Sequence, residues 1–366
     1  MGSPSPVLAD CRRVLVTGGA GFVGANLAVS LAARHPAWEV VALDNLRRRG
    51  SELNLARLRE AGVDFVHGDV REPSDLLELG RVDAIVECSA EPSVLSGVDG
   101  ATAYPVHTNL LGAYHCLELA RRDQAQFIFL STSRVYPVAS LASIRYDVGA
   151  TRFELAETQE VAGVSAAGIS EAFPLTGART LYGTTKLAAE LLVAEYAAAF
   201  GLQTVVNRCG VVAGPWQMGR NDQGVFTYWL LAHQLRRPLR YLGFDGSGRQ
   251  VRDLLHVDDL VDLLDEQLRC TEVWAGATVN VGGGSERSLS LFETTELCRD
   301  LTGNRVPVEA AVRDPRPGDI PIYVSDCAQL SRLTTWQPQH TARQTLADTL
   351  SWLSEHEADV VTALAV

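Results

Sequence analysis

The run Val14-Leu15-Val16-Thr17-Gly18-Gly19-Ala20-Gly21-Phe22-Val23-Gly24 constrains this chain more than any other segment. A short β-branched strand that passes through spaced glycines into an apolar helix opens a βαβ unit of a parallel sheet. The glycines satisfy both Gly19-x-Gly21-x-x-Gly24 and the wider Gly18-x-x-Gly21-x-x-Gly24 spacing. They permit a tight turn and let N–H groups at a helix N-terminus approach a diphosphate. A dinucleotide is therefore expected against Gly18, Gly21, Phe22, Val23 and Gly24. Asp44, with Asn45 beside it, ends the next predicted strand, where a carboxylate accepts ribose hydroxyls and repels a 2′-phosphate. That favours NAD over NADP, although Arg47, Arg48 and Arg49 follow at once. Asp69-Val70 after the third strand is placed to meet the adenine edge, with a simple turn as the competing reading.

The first two thirds of the chain alternate apolar, β-branched runs with amphipathic stretches, the pattern of a parallel sheet covered by helices on both faces. Strands are expected at 13–17, 39–44, 64–67, 84–88, 126–131 and 203–208, and the longest helices at 101–122 and 180–200. Further helices are expected at 258–269, 291–302 and 342–354. The fold class is α/β, a doubly wound parallel (Rossmann) sheet over 12–209 with a smaller C-terminal substrate-binding lobe over 210–355. Strand exchange between the two is allowed for, and 1–11 and 356–366 are expected as flexible tails. The Ala/Ser/Gly-rich connection between Val138 and Arg179 is expected to be functional or mobile.

A formal net charge of −12 with no Lys/Arg block argues against a nucleic-acid partner or an anionic membrane surface. The N-terminus has no signal-peptide pattern, so a cytoplasmic location is expected. Seven scattered cysteines without close CxxC spacing point to buried free thiols, with Cys88 and Cys209 near strand ends and able to line a cleft. No metal is expected.

Tyr182 and Lys186 are four residues apart and share a helix face. An ammonium beside a phenol lowers its pKa, which makes the phenolate a usable base. The segment Leu130-Ser131-Thr132-Ser133-Arg134 supplies a hydroxyl at the carboxyl edge of the sheet, where ligands bind in such folds.

With these motifs in this order, the chain resembles an extended short-chain dehydrogenase/reductase of the nucleotide-sugar epimerase and dehydratase family over about 12–355. Within it, the closest resemblance is to CDP-tyvelose (CDP-paratose) 2-epimerases. Asp44-Asn45-Leu46 with Arg48 and Gly50, Asp222-Gln223-Gly224 and the run from Gly248 to His256 carry this, with Thr151-Arg152-Phe153. The resemblance implies Tyr182 as base, Lys186 orienting Tyr182 and the nicotinamide ribose, and Thr132 sharing the substrate hydroxyl. It implies Arg252 and Arg316 on the nucleotide diphosphate and Asp319 on its ribose. Gln223, Ser93, Ser133 and Arg134 are further substrate candidates, and Tyr241 is a candidate wall for the base. The family's His-x-Ala-Ala segment is replaced by Glu87-Cys88-Ser89-Ala90, so no role is carried onto Glu87.

Dehydratases of the family place an Asp-Glu pair after the threonine, and this chain has Ser133-Arg134. Without those acids the elimination lacks a proton donor for the leaving hydroxyl. Glu91 remains as a lone carboxylate, either assisting an acid/base step or satisfied within its loop. The expected activity is NAD-dependent epimerisation of a nucleotide sugar through a keto intermediate, at C2 of a CDP-hexose by resemblance. An NAD-recycling dehydratase or decarboxylase is the alternative, and a non-catalytic nucleotide-binding protein is the alternative of another class. The family commonly pairs two helices per subunit, so a homodimer through 101–122 and 180–200 is expected.

Overall fold

Seven parallel strands form the centre of the molecule: β1 (Arg13–Thr17), β2 (Glu39–Asp44), β3 (Asp64–His67), β4 (Ala84–Glu87), β5 (Gln126–Thr132), β6 (Thr204–Cys209) and β7 (Ala277–Val281). Their order is β7-β6-β5-β4-β1-β2-β3. The computed structural model describes residues 12–98, 100–220, 223–312 and 318–364. Chain order reverses between β1 and β4, which pair in register from Val14↔Ala84 to Thr17↔Glu87. A reversal of this kind leaves a crevice beyond the carboxyl ends of the strands.

The inner strands are buried on both faces because alternate residues feed two cores. Val14, Val16 and Val86 pack with α1 (Phe22–Arg34) and the helix Val257–Arg269. Leu15, Ile85, Phe127 and Phe129 pack with α2 (Gly112–Asp123) and α3 (Leu181–Phe200). Each fully buried aliphatic side chain contributes about 1.5–3 kcal/mol, so this double burial holds the sheet.

Where one helix was expected over 101–122, a short helix Ala103–Val106 passes through a π-turn His107–Leu111 into α2. The widening has a local cause. Asn109 within it turns its amide to the Glu91 backbone, accepting from the Glu91 N–H at 2.7 Å and donating to its carbonyl at 3.1 Å. It also donates to Thr185 Oγ1 of α3 at 3.1 Å. Such π-bulges collect at functional sites.

After β6 the chain builds a second, four-stranded sheet: Val211–Ala213, Val251–His256 and Ser288–Ser290 in that order, with Ile322–Tyr323 also paired to Val251–His256. Beneath it, Trp229, Leu230, Leu346 and Trp352 form a core of their own. The strand Ala277–Val281 returns to the large sheet. The 138–179 connection folds into two small hairpins whose Phe153, Ile169 and Phe173 pack against Tyr136, Ile322 and Tyr323. Ile169 is tied to the backbone of Val324 and Asp326, so this segment is pinned and not a loose loop. Residues expected as a C-terminal tail form the helix Glu357–Leu364, with Val360 buried. Cys270 departs from the expected buried thiols and is exposed. No helix among the described residues is long and apolar enough to cross a membrane.

Candidate active site

The glycine turn is as tight as its sequence requires. Gly18 sits at φ +60°, and a Cβ added to Gly24 would stand 2.2 Å from the Gly18 carbonyl oxygen. α1 has no side-chain cap at Gly21, and Gly21, Phe22, Val23 and Gly24 line the cavity. A helix N-terminus left in this state is suited to a diphosphate. Asp44 lies beside it, its carboxylate accepting from the N–H of Ala20 at 3.1 Å and of Leu46 at 2.8 Å. Burial pushes Asp44 above the usual carboxylate range, against the pull of those amides. These residues fit a dinucleotide with free ribose hydroxyls.

One cavity of about 710 Å³ runs from this turn across the sheet edge into the second lobe. Of the expected cofactor residues, Gly18, Gly21, Phe22, Val23, Gly24, Asp44, Asn45 and Val70 line it. Asp69 does not. It accepts from Asn45 Nδ2 at 2.9 Å and from Arg71 Nε at 2.9 Å. Burial alone would raise it, but the bonds from Arg71 and Asn45 outweigh burial and hold it at about 2. These bonds engage Asp69 within its turn. The Arg47 guanidinium stacks over the Tyr104 ring at 4.2 Å, and Arg48 donates to Gln223.

Thr132, Ser133, Arg134, Tyr182 and Lys186 come together on the wall opposite the turn. Thr132 ends β5 and accepts the Arg134 N–H through Oγ1 at 3.2 Å, which turns the chain sharply after the strand. Thr180 caps α3 through the Gly183 N–H at 3.2 Å, and Tyr182, Lys186 and Glu190 then repeat every four residues on its buried face. Burial pushes the Tyr182 hydroxyl above the usual phenol range, while Lys186, a hydrogen bond with Thr132 and Arg134 pull it back. The expected lowering by lysine is present, yet in the protein alone desolvation is larger.

The far end is cationic. Arg252 and Arg134 both line the cavity with Asp319. Arg252 donates to the carbonyls of Val251 at 2.7 Å and Ile320 at 2.8 Å, and Arg134 to that of Gly318 at 3.1 Å. Burial first and Arg134 second hold Arg252 below the usual guanidinium range. Two guanidinium groups that disfavour each other are relieved by an anion placed between them. Gln223 lines the cavity as expected, and Arg316 lies outside the described residues.

Three of the substrate candidates have their side chains engaged elsewhere. Tyr241 is buried, donates to Thr295 Oγ1 at 2.8 Å and stacks with Trp229, so it belongs to the lobe core, and Leu242 lines the cavity in its place. Glu91 and Ser93 point into their own loop, Glu91 Oε1 accepting the Ser93 N–H at 3.2 Å, whereas Ala90, Pro92 and Val94 face the cavity. Cys88 and Cys209 do line it, and burial pushes the Cys209 thiol up to about 12, which leaves it protonated and inert.

Two features escaped sequence reasoning. Glu190 accepts from Arg208 Nη2 at 2.7 Å and from Ser131, locking α3 to β5 and β6. Glu87 lies under the site with its carboxylate 3.3 Å from Lys186 Nζ. A charged residue ending the apolar run Ala84-Ile85-Val86 was the available signal for the second. Apart from the cavity, His256, Asp258 and His340 bring ligand atoms within 4.8 Å of one another. There His256 Nδ1 already accepts the Asp258 N–H as a helix cap.

Comparison with known proteins agrees with this geometry. The chain is 28% identical to a CDP-paratose 2-epimerase of Salmonella typhi, over 93% of this chain and 99% of that protein. It is 30% identical to a dTDP-glucose 4,6-dehydratase of Mycolicibacterium smegmatis, over 94% of each. Among solved structures it shares its fold with a UDP-glucuronic acid 4-epimerase of Bacillus cereus, at a TM-score of 0.76 and 22% identity over 94% of this chain and 99% of the other. The sequence profile of the NAD dependent epimerase/dehydratase family matches residues 14–282. A match across most of the chain, over the glycine turn, Tyr182 and Lys186 that line one cavity, makes this protein a member of the NAD dependent epimerase/dehydratase family, with NAD as its cofactor.

Proposed function

We propose that the protein is a nucleotide-sugar epimerase that oxidises its sugar transiently and reduces it again on the opposite face, at C2 of a CDP-hexose. The observation that carries the choice of epimerase is Arg134 in the cavity beside Tyr182, where the family's dehydratases have a carboxylic acid after the threonine. A guanidinium cannot donate the proton that a leaving hydroxyl needs. Glu91, the other acid considered for such a step, is engaged with its own loop.

NAD, when bound, accepts and returns the hydride. Thr132 and Tyr182 hold the reacting hydroxyl, and Tyr182 takes its proton and gives it back. Lys186 stabilises the phenolate by charge. Arg252 and, as the family suggests, Arg316 hold the nucleotide diphosphate while the keto-sugar turns over, with Asp319 on the nucleotide ribose. The grip at the far end allows the turning without release. The CDP-linked, C2 assignment is supported by the Salmonella typhi relative, which aligns along nearly its whole length.

The division of labour proposed is a NAD-binding part, mainly 12–209, and a substrate-binding part, mainly 210–355. A homodimer is proposed through the outer faces of α2 and α3, where Tyr114, Leu191 and Phe200 are exposed. Product NMR with a panel of CDP-, UDP- and dTDP-hexoses tests the reading: an epimer from a CDP-hexose supports it, and loss of water or carbon dioxide from the sugar contradicts it.

A further inference from the structure

Glu87 is the least explained charge in the molecule. It ends β4 on the face that carries Ile85 and Phe129, among the aliphatic and aromatic side chains under α2 and α3. It is 1% exposed and Lys186 is 2% exposed, with Oε2 3.3 Å from Nζ. Its other oxygen, Oε1, is buried with no hydrogen-bond partner. Register places Thr17 of β1 on one side of it and Phe129 of β5 on the other. The Lys186 ammonium lies 4.4 Å from the centre of the Phe129 ring, so it has the carboxylate and the ring as neighbours.

Stability does not account for this carboxylate. Burying a pair of charges costs more desolvation than a well-packed apolar pair of similar volume, and an unpartnered carboxylate oxygen adds to the cost. What the carboxylate does change is the net charge at the reacting end of the cavity. Without it, Tyr182 and the cofactor turn would face an uncompensated ammonium, since a Cβ added to Gly18 of that turn would meet the Cys88 backbone, one residue along from Glu87, at 3.0 Å. The nicotinamide ring is cationic when oxidised and neutral when reduced. A net positive site therefore favours NADH, and a neutral one removes that bias.

We propose that Glu87 is a charge-balancing residue for the cofactor: its buried carboxylate offsets the Lys186 ammonium and so raises the affinity for oxidised over reduced NAD. This rests on Lys186 standing at the nicotinamide end, as in the reading above, and not on the identity of the sugar. In a reaction that borrows hydride and returns it, such a residue keeps the resting enzyme oxidised and makes return of the hydride favourable. Burial pushes the Glu87 carboxyl up, and the Lys186 ammonium, with the Ser89 backbone, acts against burial in favour of the ionised form.

The test needs no sugar. Purified protein is equilibrated with a fixed mixture of NAD and NADH and passed rapidly through a desalting filter, and the bound ratio is read by chromatography after denaturation. Glu87→Gln should move the bound ratio toward NADH by about tenfold, as expected for loss of one nearby charge in a partly screened site. Glu87→Asp should keep the wild-type direction. Lys186→Met removes the ammonium together with the partner that favours an ionised Glu87, so its ratio should stay at the wild-type value or move toward NAD, and not toward NADH. A ratio unmoved in Glu87→Gln, or moved toward NADH in Lys186→Met, overturns the proposal. A purely structural role for Glu87 would weaken both forms of the cofactor alike. Failure of the epimerase reading would leave these ratios untouched.

Discussion

Gly183 passes so close to Arg134 that a Cβ added to it would sit 2.0 Å from the Arg134 carbonyl oxygen. The glycine next to Tyr182 is therefore the point where the first turn of α3 meets the turn after β5. Backbone cannot yield as a flexible side chain can, so Gly183→Ala must push the two apart and carry Tyr182 away from Thr132. A displacement of about 1 Å costs on the order of 100-fold in rate. Steady-state kinetics should show kcat reduced by about that factor, with NAD content of the purified protein unchanged.

The acidic limb of the rate profile should belong to Tyr182. The base must lose its proton, so turnover rises with pH through the Tyr182 pKa and falls below it. Burial raises that pKa, while Lys186 and Arg134 lower it. Removing either cation leaves the phenolate less stabilised, and the limb then moves to higher pH. Lys186→Met should shift it further than Arg134→Met, following the order of their charge effects on Tyr182. A limb that moves to lower pH in either variant would contradict the assignment. Tyr182→Phe should lose about 10²–10⁴-fold in kcat and retain NAD.

Gly24→Ala should remove the cofactor before it removes the fold. The new methyl group would lie 2.2 Å from the Gly18 carbonyl oxygen, and the turn must open to admit it. Small-to-large changes in tight packing cost about 1–3 kcal/mol, which a domain of this size can survive. The expected result is folded protein by circular dichroism, with little or no NAD released on denaturation.

Glu190→Ala should be costly to stability and only indirectly to chemistry. Arg208 Nε lies 3.1 Å from each Glu190 oxygen, and both side chains are almost fully buried. Deleting the carboxylate strands a buried guanidinium, which costs about 3–5 kcal/mol. Denaturant unfolding should show a loss of that order. A loss within the range of an exposed pair, about 0–1 kcal/mol, would mean that water reaches Arg208.

The parts legible in sequence were those with local signatures. Alternation placed six strands within a residue at each end. Thr132, Tyr182, Lys186 and Arg252 came together because the carboxyl edge of a parallel sheet gathers residues distant in sequence. What escaped was set by partners from elsewhere in the chain. Asn109 makes the π-turn through the Glu91 backbone and Thr185, which no helical periodicity around residue 109 contains. Tyr241 reads as an aromatic near the base, yet Thr295 and Trp229 claim it for the lobe core. Glu87 has no meaning until Lys186 is placed above it.

The most direct test of the central claim is product analysis with a CDP-hexose deuterated at C2, using enzyme with its resident NAD and none added. The account predicts an epimer of unchanged mass that keeps its deuterium at C2, with no NADH released. A product that has lost water, or NADH formed in proportion to sugar consumed, would contradict it.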